Sequence, residues 1–303
     1  MVLVHIDIKF IIGYNSFREL STTQGSVQLK VMIIKYFNYT YIITLIAAAL
    51  FIAAFYFPLR KRSLYARENA LYALMGFNIA QHFFKSLVWP HLWGTGFGII
   101  NTAYNVCAIL IIASPFVYVS GNELLKQFVS YVGTIGATAT LFIPYWFIGG
   151  TVFTWEYLRF WTCHTVLIAT SLLPALWGMV KFNWRDWWKF GLIFLVMLAL
   201  VLLNDTVFFL VLGEATKNTL YDVLCRQNPL WMMGPGGGVS GIKSIFEGLS
   251  PKFLLETQSH PYIPILWYAI PIYLVFAVLG CLFGALFDRK HFRGETPTLI
   301  KTN

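Results

Sequence analysis

Residues Trp187–Leu212 read WWKFGLIFLVMLALVLLNDTVFFLVL, a run whose ionisable members are Lys189, near its start, Asp205, and no others. As a helix rising about 1.5 Å per residue, it is longer than the roughly 30 Å hydrocarbon core of a bilayer. A helix that is apolar all round lies either in lipid or in the core of a large protein. Composition decides for lipid. Of 303 residues, 58% are hydrophobic, 18% aromatic and only 12% charged, against roughly 25% charged in soluble domains. The mean hydropathy is +0.66. An ordinary cytosolic enzyme is excluded.

Working outward from this run, six further segments reach the length of about 17 to 25 residues that a span needs. They are Tyr36–Phe57, Asn69–Trp89, Thr102–Val119, Lys126–Ile148, Tyr157–Val180 and Ile263–Phe287. Trp89, Trp93, Trp155, Trp184 and Trp187 crowd their ends, as interfacial aromatic belts do. The predicted fold class is therefore an all-α, polytopic transmembrane helical bundle of about seven spans without a second domain. Residues 1–35 form an N-terminal arm, 36–287 the transmembrane domain with an outer loop at 213–262, and 288–303 a tail. The arm has no long apolar core of a signal peptide, and Met32 is a candidate natural start. The run Gly234–Gly238 is glycine-rich but lacks the Lys-Ser/Thr of a phosphate-binding loop, and reads as a flexible turn.

The formal charge of +9 would suggest nucleic acid in a soluble protein, but no RNA- or DNA-binding module is visible. Arg60, Lys61, Arg62, Arg67, Lys126, Lys181, Arg185, Lys189, Arg289, Lys290 and Arg293 all flank spans on one side. The connectors His91–Asn101 and Gly149–Glu156 on the other side carry no Lys or Arg. The positive-inside rule makes the basic side cytoplasmic, with the N-terminus out and the C-terminus in. Cys107, Cys163, Cys225 and Cys281 show no metal-type or disulfide-framework spacing. No metal or cofactor is expected. Gly133 with Ala137, Gly136 with Thr140, and Gly280 with Gly284 offer small-residue faces for close helix packing.

Ionisable groups inside spans cost about 2.5–3.5 kcal/mol each and mark functional positions. Asn78, Gln81, His82 and Lys85 fall on one helical face of the second span. Asn101, Asn105 and Cys107 follow in the third, Cys163 and His164 in the fifth, Asn204 and Asp205 in the sixth. Counting from the span ends puts His82, Cys107, His164 and Asp205 at one level, roughly 8–11 Å below the outer face. This predicts a polar chamber open toward the outer leaflet. A thiol there needs a base to become a nucleophile. His164 is the candidate base for Cys107, with Asn105, Asn204 or Asp205 to orient the ring or stabilise an oxyanion. Asn101, His82, Lys85 and Tyr262 are candidate supporting or substrate-binding residues. The same chamber also fits a transporter or solute-binding protein using His82, Lys85, His164 and Asp205, although no inverted repeat is apparent.

The stretches Ala103-Tyr104-Asn105-Val106-Cys107, Phe142-Ile143-Pro144, Arg159-Phe160-Trp161-Thr162-Cys163-His164 and His260-Pro261-Tyr262, in that order, resemble the YwaF-type integral membrane proteins. These are bacterial relatives of the acyltransferase called transmembrane protein 164, and the likeness extends over about residues 36 to 287. It implies a phospholipid/lysophospholipid acyltransferase of the bacterial cell membrane, with membrane lipids as substrates. The acyl group would pass through a thioester on Cys107, with His164 as the histidine. The family usually has His two residues before the cysteine, where this chain has Asn105.

Overall fold

The computed structural model describes residues 33–88, 99–144, 147–211, 220, 222–225, 232–235, 240–257 and 261–288. Among these the regular structure is helical, apart from an isolated β-bridge between Ile33 and Thr151. The helices in chain order are α1 (Tyr39–Leu59), α2 (Leu64–Val88), α3 (Val106–Ser120), α4 (Glu123–Phe142), α5 (Trp155–Leu176), α6 (Trp187–Val211), α7 (Ser240–Leu249) and α8 (Ala269–Phe287). Helix α1, helix α6 and the segment Leu266–Phe287 are each long and apolar enough to cross a membrane. Helix α3 is apolar but shorter. The arm before Ile33, His260, Gly236–Gly238, Trp89, Trp93 and the tail after Asp288 lie outside the described residues.

Local chemistry sets the helix starts. Asn38, Asn105, Asn122 and Thr154 each accept a hydrogen bond from the backbone amide three residues on, and so cap α1, α3, α4 and α5. The cap at Asn105 corrects the third span. It begins at Val106, not Thr102, because the Asn105 side chain takes the amide of Ala108 at 2.8 Å and holds its own backbone extended. The fourth ends at Phe142, not Ile148. Pro144 disfavours helical backbone in the residue before it, and Ile143 has φ −124° and ψ 67°.

Helix α5 is the hub, packing on α1, α2, α3 and α4. Its closest approach is to α4 at Gly133, where an added Cβ would lie 2.0 Å from Ser171 Oγ and 2.9 Å from Ser171 Cβ. The face Gly133–Ala137 is thus a true contact, whereas Gly136 has open space above it. Gly133→Val is expected to destabilise the bundle by about 1–3 kcal/mol through overpacking, read as a lower thermal midpoint in detergent. Gly136→Ala serves as the control that keeps it.

Helices α6 and α8 pair separately, with Gly191 beneath the ring of Tyr273 and Gly280 against Trp187. An aromatic seam joins this pair to α4, where Tyr131 stacks on Phe190 and donates to Phe276 O at 3.1 Å. Leu192, Val196, Leu200, Leu203 and Val207 form one exposed stripe along α6, and Leu274, Val278, Leu282 and Leu286 another along α8. Water does not tolerate patches of that size. They are surfaces for lipid, and the chain is an integral membrane protein.

The connector between α6 and α8 contains packed residues among those described. Met232, Met233 and Gly234 are buried, Met232 O accepts from Ile265 N at 2.8 Å, and the Tyr262 ring lies 2.8 Å from where a Cβ on Gly234 would be. Gly234, at the described start of the Gly234–Gly238 run, is packed, and a φ of +131° with the neighbouring ring leaves room only for glycine.

Candidate functional site

The polar side chains singled out in the sequence gather at the end of the bundle where α2 finishes and α3 and α5 begin. The link between α2 and α6 is the short 3-10 turn Ile99–Asn101 and the residue after it. His82 Nε2 donates to Thr102 O at 3.0 Å, since a carbonyl can only accept. Asn204 Nδ2 reaches Thr102 Oγ1 at 2.9 Å and Asp205 Oδ1 at 3.1 Å. Asn101 Nδ2 donates to Phe83 O at 3.0 Å. His82, Asn101, Asn204 and Asp205 thus belong to one hydrogen-bonded layer across three segments.

Lys85 does not reach outward to the interface. It is 1% exposed, and its ammonium sits 5.4 Å from the centre of the Tyr104 ring. The other neighbour of that ring is the imidazole of His82, which is stacked at 12°. An ammonium over an aromatic face is held by the ring's quadrupole.

Cys107 occupies the second position of α3, directly behind the Asn105 cap. The first turn of a helix presents amides without intrahelical partners and the positive end of the macrodipole, which favour negative charge. The Cys107 thiol lies near the Thr140 side chain on α4 and near Cys163 on α5, and the Thr140 hydroxyl donates to Gly136 O at 2.8 Å. Asn105, whose Oδ1 is committed to the cap, serves here as the residue that places the thiol. Asn105→Ala is expected to cost about 1 kcal/mol of stability, and Asn105→Ser much less; thermal unfolding in detergent checks the pair.

His164 is half-buried on α5. Its Nδ1 donates to Phe160 O at 2.8 Å, and its ring packs on that of Phe160 at 4.5 Å. That bond fixes the tautomer, leaving Nε2 with its lone pair as the proton acceptor. Cys107 and His164 are not hydrogen-bonded to each other, nor does either contact Asn204 or Asp205 in a hydrogen bond. Tyr262 lies elsewhere, in the connector. It donates to Glu247 Oε1 and packs on Trp267 at 5.2 Å. Burial first, then the bond to and charge of Glu247, raise its phenol above the ordinary range.

Three participants escaped the sequence reading. Arg159 is within electrostatic reach of His82, Lys85, Tyr104, Cys163 and His164. Its charge is therefore felt both by the layer built on Thr102 and by Cys163. Thr102 joins α2 to α6, and Tyr104 carries the stacked His82 and Lys85. The signal for Arg159 was available, as a cation one turn inside an apolar segment. Thr102 and Tyr104 gave none. Among the described residues no group of three or more His, Cys, Asp or Glu side chains forms a candidate metal site.

The arrangement offers a thiol at a helix N-terminus, an imidazole whose Nδ1 is engaged by a backbone carbonyl, and a buried lysine beside an aromatic ring. No curated protein and no solved structure matches the chain significantly. A family model described as the TMEM164 family matches residues 33–236, most of the chain and all of the segments that build this site, and the protein belongs to that family.

Proposed function

We propose that the protein is a membrane-embedded acyltransferase that moves an acyl group between phospholipid and lysophospholipid through a thioester on Cys107, with His164 as the base. The observation that carries this reading is the placement of Cys107 in the first turn of α3, behind the Asn105 cap. A nucleophile in that position gains from the amides and dipole of its own helix.

His164 Nε2 takes the proton of the Cys107 thiol, and the thiolate adds to the ester carbonyl of a donor phospholipid. Collapse breaks the ester C–O bond, and the departing lysolipid oxygen takes the proton from the imidazolium. In the second half an acceptor lysolipid hydroxyl gives its proton to His164 and attacks the thioester, expelling the Cys107 thiolate, which recovers the proton. The relay between Cys107 and His164 closes in the substrate complex, where catalytic hydrogen bonds commonly tighten.

The proposal includes seven spans, α1 to α6 and α8, with the N-terminus out and the C-terminus in. It places the protein in a bacterial cell membrane, following its resemblance to the YwaF-type proteins, and has the connector 213–262 cover the site. The test is to incubate purified protein with an acyl-labelled phospholipid and map the label. A hydroxylamine-sensitive acyl group on the peptide containing Cys107 is expected. Its absence, together with flux of a polar solute through proteoliposomes, would replace this reading with the transporter. The buried ionisable side chains of Lys85 and Asp205 are what favour that second reading.

A further inference from the structure

A cavity of about 350 Å³ opens at the opposite end of the bundle, between α2, α3 and the turn after α5. Arg67, Glu68, Tyr72, Tyr118, Lys126 and Trp177 supply its polar wall, and Leu64, Leu71 and Met179 are on its apolar side. Tyr118 is eleven residues along α3 from Cys107, about 16 Å at helical rise, so this is a separate place from the thiol. Basic residues crowd this end, with Arg60, Lys61 and Arg62 in the neighbouring turn.

We propose that this cavity binds a phosphodiester, in the membrane the headgroup of a phospholipid from the adjoining leaflet. Two donors carry the proposal. The Trp177 side chain is 8% exposed, yet its indole N–H has no hydrogen-bond partner among the described residues. An indole nitrogen can only donate; it is closed off in the unliganded protein, so an acceptor in the cavity completes it when the ring turns on binding.

Beside it, Arg67 is pinned. Nη1 donates to Trp177 O at 2.9 Å and Nε to Arg62 O at 3.1 Å. Both partners are neutral carbonyls, and no described carboxylate is within ion-pair distance of this guanidinium. A guanidinium held in one orientation on the wall of the cavity, with N–H groups left over from those two bonds, is a preorganised site for a phosphate oxygen. Lys126, bound to Glu123 at 3.0 Å, adds positive charge at the rim. Glu68 in the same wall disfavours a dianion and suits the amine of a zwitterionic headgroup. Leu64, Leu71 and Met179 offer the apolar surface along which the glycerol and first methylenes would run.

The test is native mass spectrometry of the full chain in detergent, titrated with phosphatidylethanolamine, with inorganic phosphate as a competitor. One retained lipid is expected. Trp177→Phe keeps the ring and removes only the N–H; about a tenfold weaker retention is expected, the size of one hydrogen bond to a charged acceptor. Arg67→Gln is expected to weaken it at least as much, with Arg67→Lys recovering part. Retention unaffected by millimolar phosphate assigns the site to lipid, whereas competitive loss of lipid assigns it to water-soluble phosphate esters. Retention equal in wild type, Trp177→Phe and Arg67→Gln, or no binding of either probe, overturns the proposal. Neither result touches the acyl adduct on Cys107, so the two readings stand or fall separately.

Discussion

Protein carrying Cys107→Ala is expected to form no hydroxylamine-sensitive acyl adduct and to lose transacylation by a factor of at least about 10³, the scale on which nucleophiles are missed. The expectation is sharp because a second thiol is close by. Cys163 is buried and within electrostatic reach of Cys107, so a thioester that merely tracked local thiol chemistry would move to it. Cys163 lies in the middle of α5, where every amide is engaged by the helix; Cys107 lies where amides are available. Cys107→Ser adds a further arm, since an acyl-serine ester resists neutral hydroxylamine. Full adduct on Cys163 in the Cys107→Ala protein would show that the helix terminus has no part in the chemistry. Label on neither cysteine in wild type would end the covalent mechanism.

The helical membrane bundle was legible because it rests on runs such as Trp187–Leu212, where every residue type repeats the same message. Packing was legible in part. Gly133 and Ala137 announce a close contact and make one, but Gly136 and Thr140 have the same spacing and Gly136 meets nothing; spacing defines a face without saying whether a neighbour covers it. The ends of α3 and α4 were misplaced because hydropathy carries no information about capping, although Asn105 and Pro144 both did. Most of the site members could be named individually, since polar residues in apolar helices stand out. What joins them could not. Thr102 bonds His82 through its carbonyl and Asn204 through its hydroxyl, and neither contact has a sequence signature. Arg159 stood out as a cation one turn inside an apolar segment, but only the fold brings it within electrostatic reach of Lys85, Cys163 and His164. Asn105 was notable as a departure from the histidine common in relatives, and the structure supplies a physical reason for an asparagine there, namely the cap that puts Cys107 in the first turn.

His164→Gln is expected to slow acylation of Cys107 by about 10² to 10⁴, the range that a general base contributes, with little change in the lipid concentration needed for half-saturation. The bond to Phe160 O decides which ring nitrogen can act. Because Nδ1 holds its proton against that carbonyl at 2.8 Å, only Nε2 can accept, and the backbone does for this ring what a carboxylate does in a triad. Glutamine keeps a polar group of similar reach but has no nitrogen lone pair to take a proton. Without His164, the thiolate must be generated by solvent hydroxide, so the variant's rate should climb about tenfold per pH unit where the wild type's does not. A purely structural role would lower stability and activity together and leave that pH dependence unchanged. Single-turnover acylation followed by quenching and mass spectrometry separates the two. A His164→Gln protein that acylates at the wild-type rate removes His164 from the mechanism, and the lone pair must then be sought on His82, whose Nε2 is held by Thr102 O in the mirror arrangement.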